Sequence, residues 1–233
     1  MDVGELLSKL AVGELSNLSM ADEENGTIAE ASQAKVIRYT NDALVKLYSR
    51  FILLEKSLLV QMIEGVTNYY LLKRFAQSRC GCDETDPIYI IDALEPFEED
   101  LIKILEVKNE CGETMTLNDL NDDCSLFTPR FNMLQVPSPI NGGVLGISYQ
   151  AKHRKLEPGV LEAQIWLPEV LEVAMISYVA GQVYSHMNGV DNSNKGTEYM
   201  SKYERECQMV IDRDLVNNTP TTSSNVFQSR GWI

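Results

Sequence analysis

Two stretches near the start of the chain carry apolar residues at three- and four-residue steps, the spacing of an amphipathic helix. The first follows Asp2 and Glu5, which are spaced as in a capping box, and it predicts a short helix to about Leu10. The second begins near Ile28 and predicts a long helix whose apolar face consists of Val36, Tyr39, Ala43, Leu44, Leu47 and Phe51. The acidic stretch between the two helices contains Asn25-Gly26 and is predicted to be a loop.

Helical periodicity returns in the last third of the chain. The segment from Leu167 to Met187 predicts one helix, and Pro168 suits its first position. Apolar residues cover nearly every face of this helix, so we expect neighbours on several sides and a central place in the core. A loop over residues 188–196 then leads to a last helix with one apolar stripe, formed by Met200, Tyr203, Cys207, Val210, Ile211 and Leu215.

Between the helical parts, the pattern changes to short β-branched and aromatic runs separated by turn residues. One run starts at Val66, and another covers Leu101 to Val107 and ends in a polar turn that contains Gly112. Residues 145–151 alternate apolar and small or polar side chains, and we expect this strand to pair with residues 134–136. The fold class predicted from these patterns is α+β, with a small antiparallel β module inserted into an antiparallel bundle of about four helices.

The same patterns divide the chain into four parts. Residues 1–57 would supply the N-terminal helices of the bundle, and residues 58–166 the β-rich insertion. Residues 167–215 would supply the C-terminal helices, and residues 216–233 an extended arm.

The arm is the part of the sequence that most clearly suggests a partner. From Val216 onward it has no acidic residue and is rich in Asn, Thr and Ser, so it cannot form a packed core of its own. Large apolar side chains near its end would be poorly placed in water, which predicts that they bind in a groove of another protein. The candidate partner-binding residues are Phe227, Arg230, Gly231, Trp232 and Ile233.

Composition narrows the functional classes. The 233 residues are 44% hydrophobic, enough for a real core, and carry a net charge of -14, which disfavours non-specific binding to nucleic acid. The start of the chain lacks the features of a signal peptide and no long apolar run follows, so we expect a soluble protein made in the cytoplasm, without membrane association. Five scattered cysteines predict free thiols rather than a disulfide framework.

Sequence motifs for catalysis and metal binding are weak. The chain has no G-x-S-x-G, Walker, G-x-G-x-x-G or H-E-x-x-H pattern. Its two histidines, His153 and His186, have ordinary structural explanations, in a basic stretch and near a helix end. Four cysteines could in principle bind zinc: Cys80, Cys82, Cys111 and Cys124. Their spacing departs from the C-x-x-C pairs of structural zinc sites, so we predict no metal and no cofactor.

One enzymatic alternative remains open. Asp100 followed by Glu106 and Lys108 resembles the D...E-x-K pattern of metal-dependent nucleases, since a strand places Glu106 and Lys108 on one face. Against this interpretation, the motif is short, acidic residues are abundant in the chain, and a basic track for the substrate is missing. A solvated strand face explains the same residues.

The order of segments and several sequence stretches resemble the head-to-tail adaptor proteins of short-tailed bacteriophages. The resemblance covers most of the chain. It is carried by residues 32–37, 41–51, 100–107 with Gly112 and 117–119, 134–137, 145–153 and 167–184.

This resemblance implies a structural virion protein rather than an enzyme. Such proteins form a ring in the neck of the virion, typically of twelve copies, beneath the portal and above the tail. The implied partners are the portal protein, a tail or nozzle protein and neighbouring copies, with DNA passing through the channel without specific binding. During assembly the protein would be in the host cytoplasm. A weaker alternative is a monomeric virion or host-interaction protein with a disordered tail.

Overall fold

The computed structural model describes residues 1–22, 25–78, 87–91 and 95–216. Helices and antiparallel sheets both occur in these ranges, which confirms the α+β fold class. The helices are α1 (Val3–Val12), α2 (Glu30–Arg50), α3 (Glu172–Ser185) and α4 (Val190–Asp212). Asp2 caps α1 as predicted, because its Oδ1 accepts a hydrogen bond from the backbone N of Glu5 at 2.8 Å.

Helix α3 is the centre of the helical region, as its all-round apolar sequence predicts. It packs against α1, α2 and α4, and its residues Ala174, Met175, Val179, Ala180 and Val183 are all fully buried. The packing of α3 on α4 is close because Gly196 has no side chain. A Cβ atom there would lie 2.4 Å from the hydroxyl of Ser185 and 3.0 Å from its backbone N.

The strands form a short hairpin and two larger antiparallel sheets. The hairpin joins β1 (Ala21–Asp22) to β2 (Thr27–Ile28) between the first two helices. The remaining strands are β3 (Glu55–Gln61), β4 (Asn68–Tyr70), β5 (Ile90–Ile91), β6 (Leu101–Lys108), β7 (Phe127–Arg130), β8 (Met133–Gln135) and β9 (Val144–Ala151). The first sheet has the order β5-β3-β9-β6, and the second has the order β4-β8-β7.

One buried cluster fills the space between these two sheets. Strand β9 contributes Leu145, Ile147 and Tyr149 to it, which matches the alternation in its sequence. Aromatic side chains complete the cluster: the Tyr89 ring stacks on Phe75 and meets Tyr69 edge-on. The helical cluster around α3 is distinct from it, so the described residues form two cores, and Leu54 packs against both.

The helical and β regions are joined by hydrogen bonds at the start of β3 and the end of β9. The buried Gln150 amide donates to the carbonyl oxygen of Phe51 at 3.0 Å and to that of Tyr48. The backbone N of Ala151 donates to the carbonyl oxygen of Leu54 at 2.9 Å. Strand β9 is therefore bonded to the residues that leave α2.

The structure corrects two predictions about the β module. Strands β8 and β9 do not pair with each other, because β9 is a central strand with β3 and β6 on its two edges. The strand β3 was missing from the predicted elements. Its first half is polar and only Leu58 and Val60 are buried in it, so its alternation is too short to stand out.

Two helix boundaries also differ from the predictions. Helix α4 begins at Val190 rather than after a loop to residue 196, since Gly189, with a φ of 113°, turns the chain directly from α3 into α4. The predicted helix over 167–187 begins with a separate 3-10 turn at Glu169–Leu171 before α3. The turn containing Gly112 is confirmed, with a φ of +79° that glycine adopts without strain.

Candidate partner-binding surface

Residues 152–166 form an irregular segment, here called the strap, which runs from the end of β9 across the helical region. Helix α1 holds its second half: the backbone N of Gly4 donates to the Leu161 carbonyl at 2.9 Å, and that of Val3 to the Ala163 carbonyl at 3.1 Å. These donors belong to the first turn of a helix, where backbone N–H groups lack intrahelical partners. The strap therefore supplies hydrogen-bond acceptors for the free backbone N–H groups at the start of α1.

Helix α2 holds the first half of the strap through one asparagine. The Asn41 side chain accepts from the backbone N of Leu156 and donates to its carbonyl oxygen, both at 2.9 Å. This pair imitates a strand pairing, and it places the Leu156 side chain in the helical core. A segment without regular secondary structure is thus fixed at several points.

Trp166 ends the strap with a fixed backbone and an exposed side chain. Its backbone N–H donates to Nε2 of His153 at 3.1 Å, and its backbone carbonyl oxygen accepts from the Tyr48 hydroxyl. The residue is nevertheless 76% exposed. Burial lowers the pKa of His153, which keeps Nε2 unprotonated and able to accept at neutral pH. Burial also raises the pKa of Tyr48 to about 12, so its hydroxyl remains a donor.

A cavity of about 570 Å³ lies between the strap and the β module. Its wall on the β side is an ion pair in which Lys56 Nζ lies 2.8 Å from Asp100 and 3.7 Å from Glu95. The Tyr149 hydroxyl donates to the other Asp100 oxygen at 3.0 Å. Burial alone would lower the pKa of Lys56, but the hydrogen bond to Asp100 and the nearby carboxylates raise it above its usual range.

Exposed basic side chains face this cavity from the strap. Lys152 and Arg154 lie on its rim, opposite the acidic pair Glu95 and Glu98. The surface therefore combines an exposed indole with charges of both signs. Such a mixture is typical of surfaces that bind another macromolecule, where aromatic anchors are bordered by polar groups.

The sequence-predicted partner-binding residues lie outside the described part of the chain. They are Phe227, Arg230, Gly231, Trp232 and Ile233, all within residues 217–233. Their role in binding remains a prediction.

The three residues of the nuclease alternative are not brought together. Glu106 Oε2 does lie 2.9 Å from Lys108 Nζ, as expected for two residues on one strand face, and Thr114 donates to the other carboxylate oxygen at 2.5 Å. These contacts hold the pKa of Glu106 below its usual range, the Thr114 hydrogen bond most of all. Asp100 is six positions earlier, up to about 20 Å along the strand, and is paired with Lys56.

The remaining candidate ligands are also dispersed. Cys111 and Cys124 are exposed free thiols, Cys207 is buried, and Cys80 and Cys82 lie outside the described residues. His186 Nδ1 lies 2.8 Å from the Gln182 carbonyl at the end of α3, close to the position expected for it. Across residues 1–22, 25–78, 87–91 and 95–216, no three His, Cys, Asp or Glu side chains are grouped to hold a metal ion.

The strap was missed as a site because its residues have no periodicity to give them a face. The available signal was the run of basic residues from Lys152 to Lys155 in an acidic protein, followed by a tryptophan in a non-helical segment. No protein-family model matches the sequence, and no curated protein is significantly similar to it. Within the described ranges, no helix combines the length and the apolar character needed to span a bilayer.

Proposed function

We propose that this protein is a structural head-to-tail adaptor of a bacteriophage virion. It would assemble as a ring under the portal and connect the portal to the tail around a channel for DNA. The observation that carries the proposal is the placement of the β module, which is inserted between α2 and α3 of one helical region. This is the segment order on which the resemblance to phage adaptors depends.

The packing of the two regions supports a structural role. Helix α3 is enclosed by the other three helices, and the two sheets of the β module share a core of their own. Hydrogen bonds from β9 to the end of α2 join the two cores. Such a body can act as a wedge in a ring, with the helical region and the β module contacting different neighbours.

The arm after residue 216 would attach the ring to the portal. Phe227 and Trp232 would enter apolar pockets, since aromatic anchors supply much of the binding energy of protein interfaces. Arg230 would pair with a carboxylate of the partner, and Gly231 would permit a tight bend between Arg230 and Trp232. We expect assembly on the portal as a template rather than spontaneous rings.

The charge of the protein is compatible with a passage for DNA. With 34 acidic and 20 basic residues, the protein repels a phosphate backbone rather than binding it. A ring of such subunits would let DNA pass without retaining it.

Co-sedimentation with portal rings of the virus that encodes the chain tests the proposal. The full-length protein should travel with the portal at a fixed stoichiometry, and a form ending at Asn225 should not. Gln228→Ala is the matched control, because it changes a polar residue between the aromatic anchors and should bind normally. Failure of the full-length protein to bind would contradict the adaptor function, and equal binding of the truncated form would contradict the role of the arm.

A further inference from the structure

A basic and aromatic groove follows the strap. Its cavity of about 410 Å³ is lined by residues between His153 and Trp166, and the exposed indole forms one wall. Arg154 and Lys155 are exposed along it, with Glu157 as the one carboxylate in the lining. The strap as a whole has three basic and two acidic side chains, in a protein whose net charge is -14. The groove is thus an apolar surface with a local excess of positive charge.

A second surface, with complementary chemistry, lies in the loop that follows β6. Residues 109–123, here called the distal loop, contain five carboxylates and no basic side chain. Leu120 lies among these carboxylates and is 88% exposed. An apolar side chain surrounded by negative charge matches a groove that is aromatic and bordered by positive charge.

Hydrogen bonds fix the distal loop around Leu120. The Asn118 amide donates to the Thr128 hydroxyl at 2.9 Å, and the backbone N of Asp119 donates to the Ser125 hydroxyl at 3.0 Å. The Asp119 carboxylate in turn accepts from the backbone N of Asn121 at 2.9 Å. Because the loop is already ordered, docking of Leu120 has a small entropic cost.

The two surfaces lie at opposite ends of the same strand pair. Lys108, which leads into the distal loop, is paired with Gly146 near the start of β9. Leu101 is paired with Ala151, which leads into the strap. An eight-residue strand separates the two ends by roughly 20–25 Å. The surfaces therefore cannot meet within one molecule, but they can meet between two.

We propose that the distal loop of one copy docks in the strap groove of the next copy. Leu120 would contact Trp166, and Asp122 and Asp123 would face Arg154 and Lys155. Such a contact is head-to-tail, so its repetition on the portal gives a closed ring when the rotation between copies closes. Between free copies the same contact forms only weakly and pairwise. The ring in which this contact would repeat rests on the proposed function. The inference adds which two surfaces of neighbouring copies would meet.

Cross-linking of the purified full-length protein, without portal, tests this contact. An equal mixture of ¹⁴N- and ¹⁵N-labelled protein, at high protein concentration and low ionic strength, is treated with a carbodiimide. This reagent joins lysine amines to carboxylates. We expect mixed-label peptides that join Lys152 or Lys155 to carboxylates of the distal loop. Mixed-label products that omit this pair, or the absence of any mixed-label product at high protein concentration, would overturn the proposal.

Matched variants separate this contact from general stickiness. Leu120→Ser and Trp166→Ala should each reduce the strap-to-loop product about fivefold or more, as loss of an apolar anchor does at interfaces. Ile140→Ser and Phe131→Ala change exposed apolar residues at other loop tips and should leave the yield unchanged. An equal loss in all four variants would overturn the proposal. Circular dichroism verifies that each variant is folded.

A charge exchange gives the strictest test and avoids the carboxylates that hold the loop. Asp123→Lys alone and Lys155→Glu alone should each weaken the contact, since each places like charges opposite one another. An equimolar mixture of the two should restore cross-linking between them, and a mixture that gives no gain would overturn the proposal. Portal is absent from all these experiments, so failed co-sedimentation with portal would contradict the adaptor function without altering this result.

Discussion

Helix α3 and strand β9 have equivalent central places in their two regions, but they meet their neighbours in different ways. Helix α3 does so through side chains, with buried residues on most of its faces and a close approach to Gly196. Strand β9 does so through its backbone, which is paired with β3 on one edge and β6 on the other. Its residues alternate between buried and partly exposed as far as Tyr149, with Gly146 and Ser148 partly exposed, and Gln150 and Ala151 are then both buried.

This difference determines which substitutions each region tolerates. A smaller side chain on a buried face of α3 leaves a cavity between helices, and close-packed interiors relax only partly around such a gap. In β9 the backbone pairing survives a change of side chain, so only the buried positions should be sensitive, including Gln150 with its hydrogen bonds to α2. The helical region should therefore carry the larger single-residue effects.

The largest expected effect is in α3. Met175→Ala removes a fully buried side chain and should lower the free energy of unfolding by about 3 kcal/mol. Val173→Ala in the same helix is the control, because Val173 is exposed and its loss should change stability by less than about 0.5 kcal/mol. Urea denaturation followed by far-UV circular dichroism measures both. Similar values for the two variants would show that α3 is not enclosed.

A smaller, pH-dependent effect is expected in β9. Tyr149→Phe removes the hydrogen bond to Asp100 and should cost about 1 kcal/mol at pH 7. Burial, helped by the nearby Asp100 carboxylate, raises the pKa of Tyr149 above its usual value near 10. Above pH 10 the unfolded chain therefore loses this proton while the folded chain keeps it, and stability falls as pH rises.

Replacing Tyr149 by Phe removes that alkaline loss. The stability difference between wild type and Tyr149→Phe should shrink between pH 9 and about 11, as measured by urea denaturation at each pH. Ser148→Ala on the same strand has no titrating group, and its difference from wild type should stay constant over this range. A Tyr149→Phe difference that is equally constant would contradict the role assigned to the buried hydroxyl.

The contrast between α3 and β9 also explains how much of the fold could be predicted from the sequence. Helices depend on local periodicity, so α1, α2 and the central place of α3 followed from spacing alone. Strand pairing depends on residues far apart in the chain, and nothing in the alternation of β9 identifies β3 and β6 as its partners. Register and sheet order had to come from tertiary structure.

The candidate site was less predictable for a related reason. Periodicity finds faces of regular elements, whereas the strap is held by single hydrogen bonds from Asn41 and from the first turn of α1. The exposure of Trp166 is a property of the folded chain, since an apolar residue beside Leu167 could equally have been part of the core. Its basic neighbours were visible in the sequence, but their position beside the indole was not.

The smallest expected effect separates the adaptor from the nuclease alternative. Glu106→Gln preserves the shape of the side chain and keeps an oxygen that accepts from Thr114, but it removes the surface ion pair with Lys108, so stability should change by less than about 0.5 kcal/mol. Binding to portal rings should be unchanged, as it should be for the control Glu64→Gln, which changes an exposed carboxylate outside the distal loop and the strap. Neither the wild type nor either variant should cleave DNA when it is incubated with the DNA and magnesium or manganese. Glu106 on β6 and Asp100, which directly precedes β6, are engaged in separate ion pairs. Cleavage that is lost only in Glu106→Gln would require these residues to rearrange around a metal. That outcome would contradict the adaptor proposal.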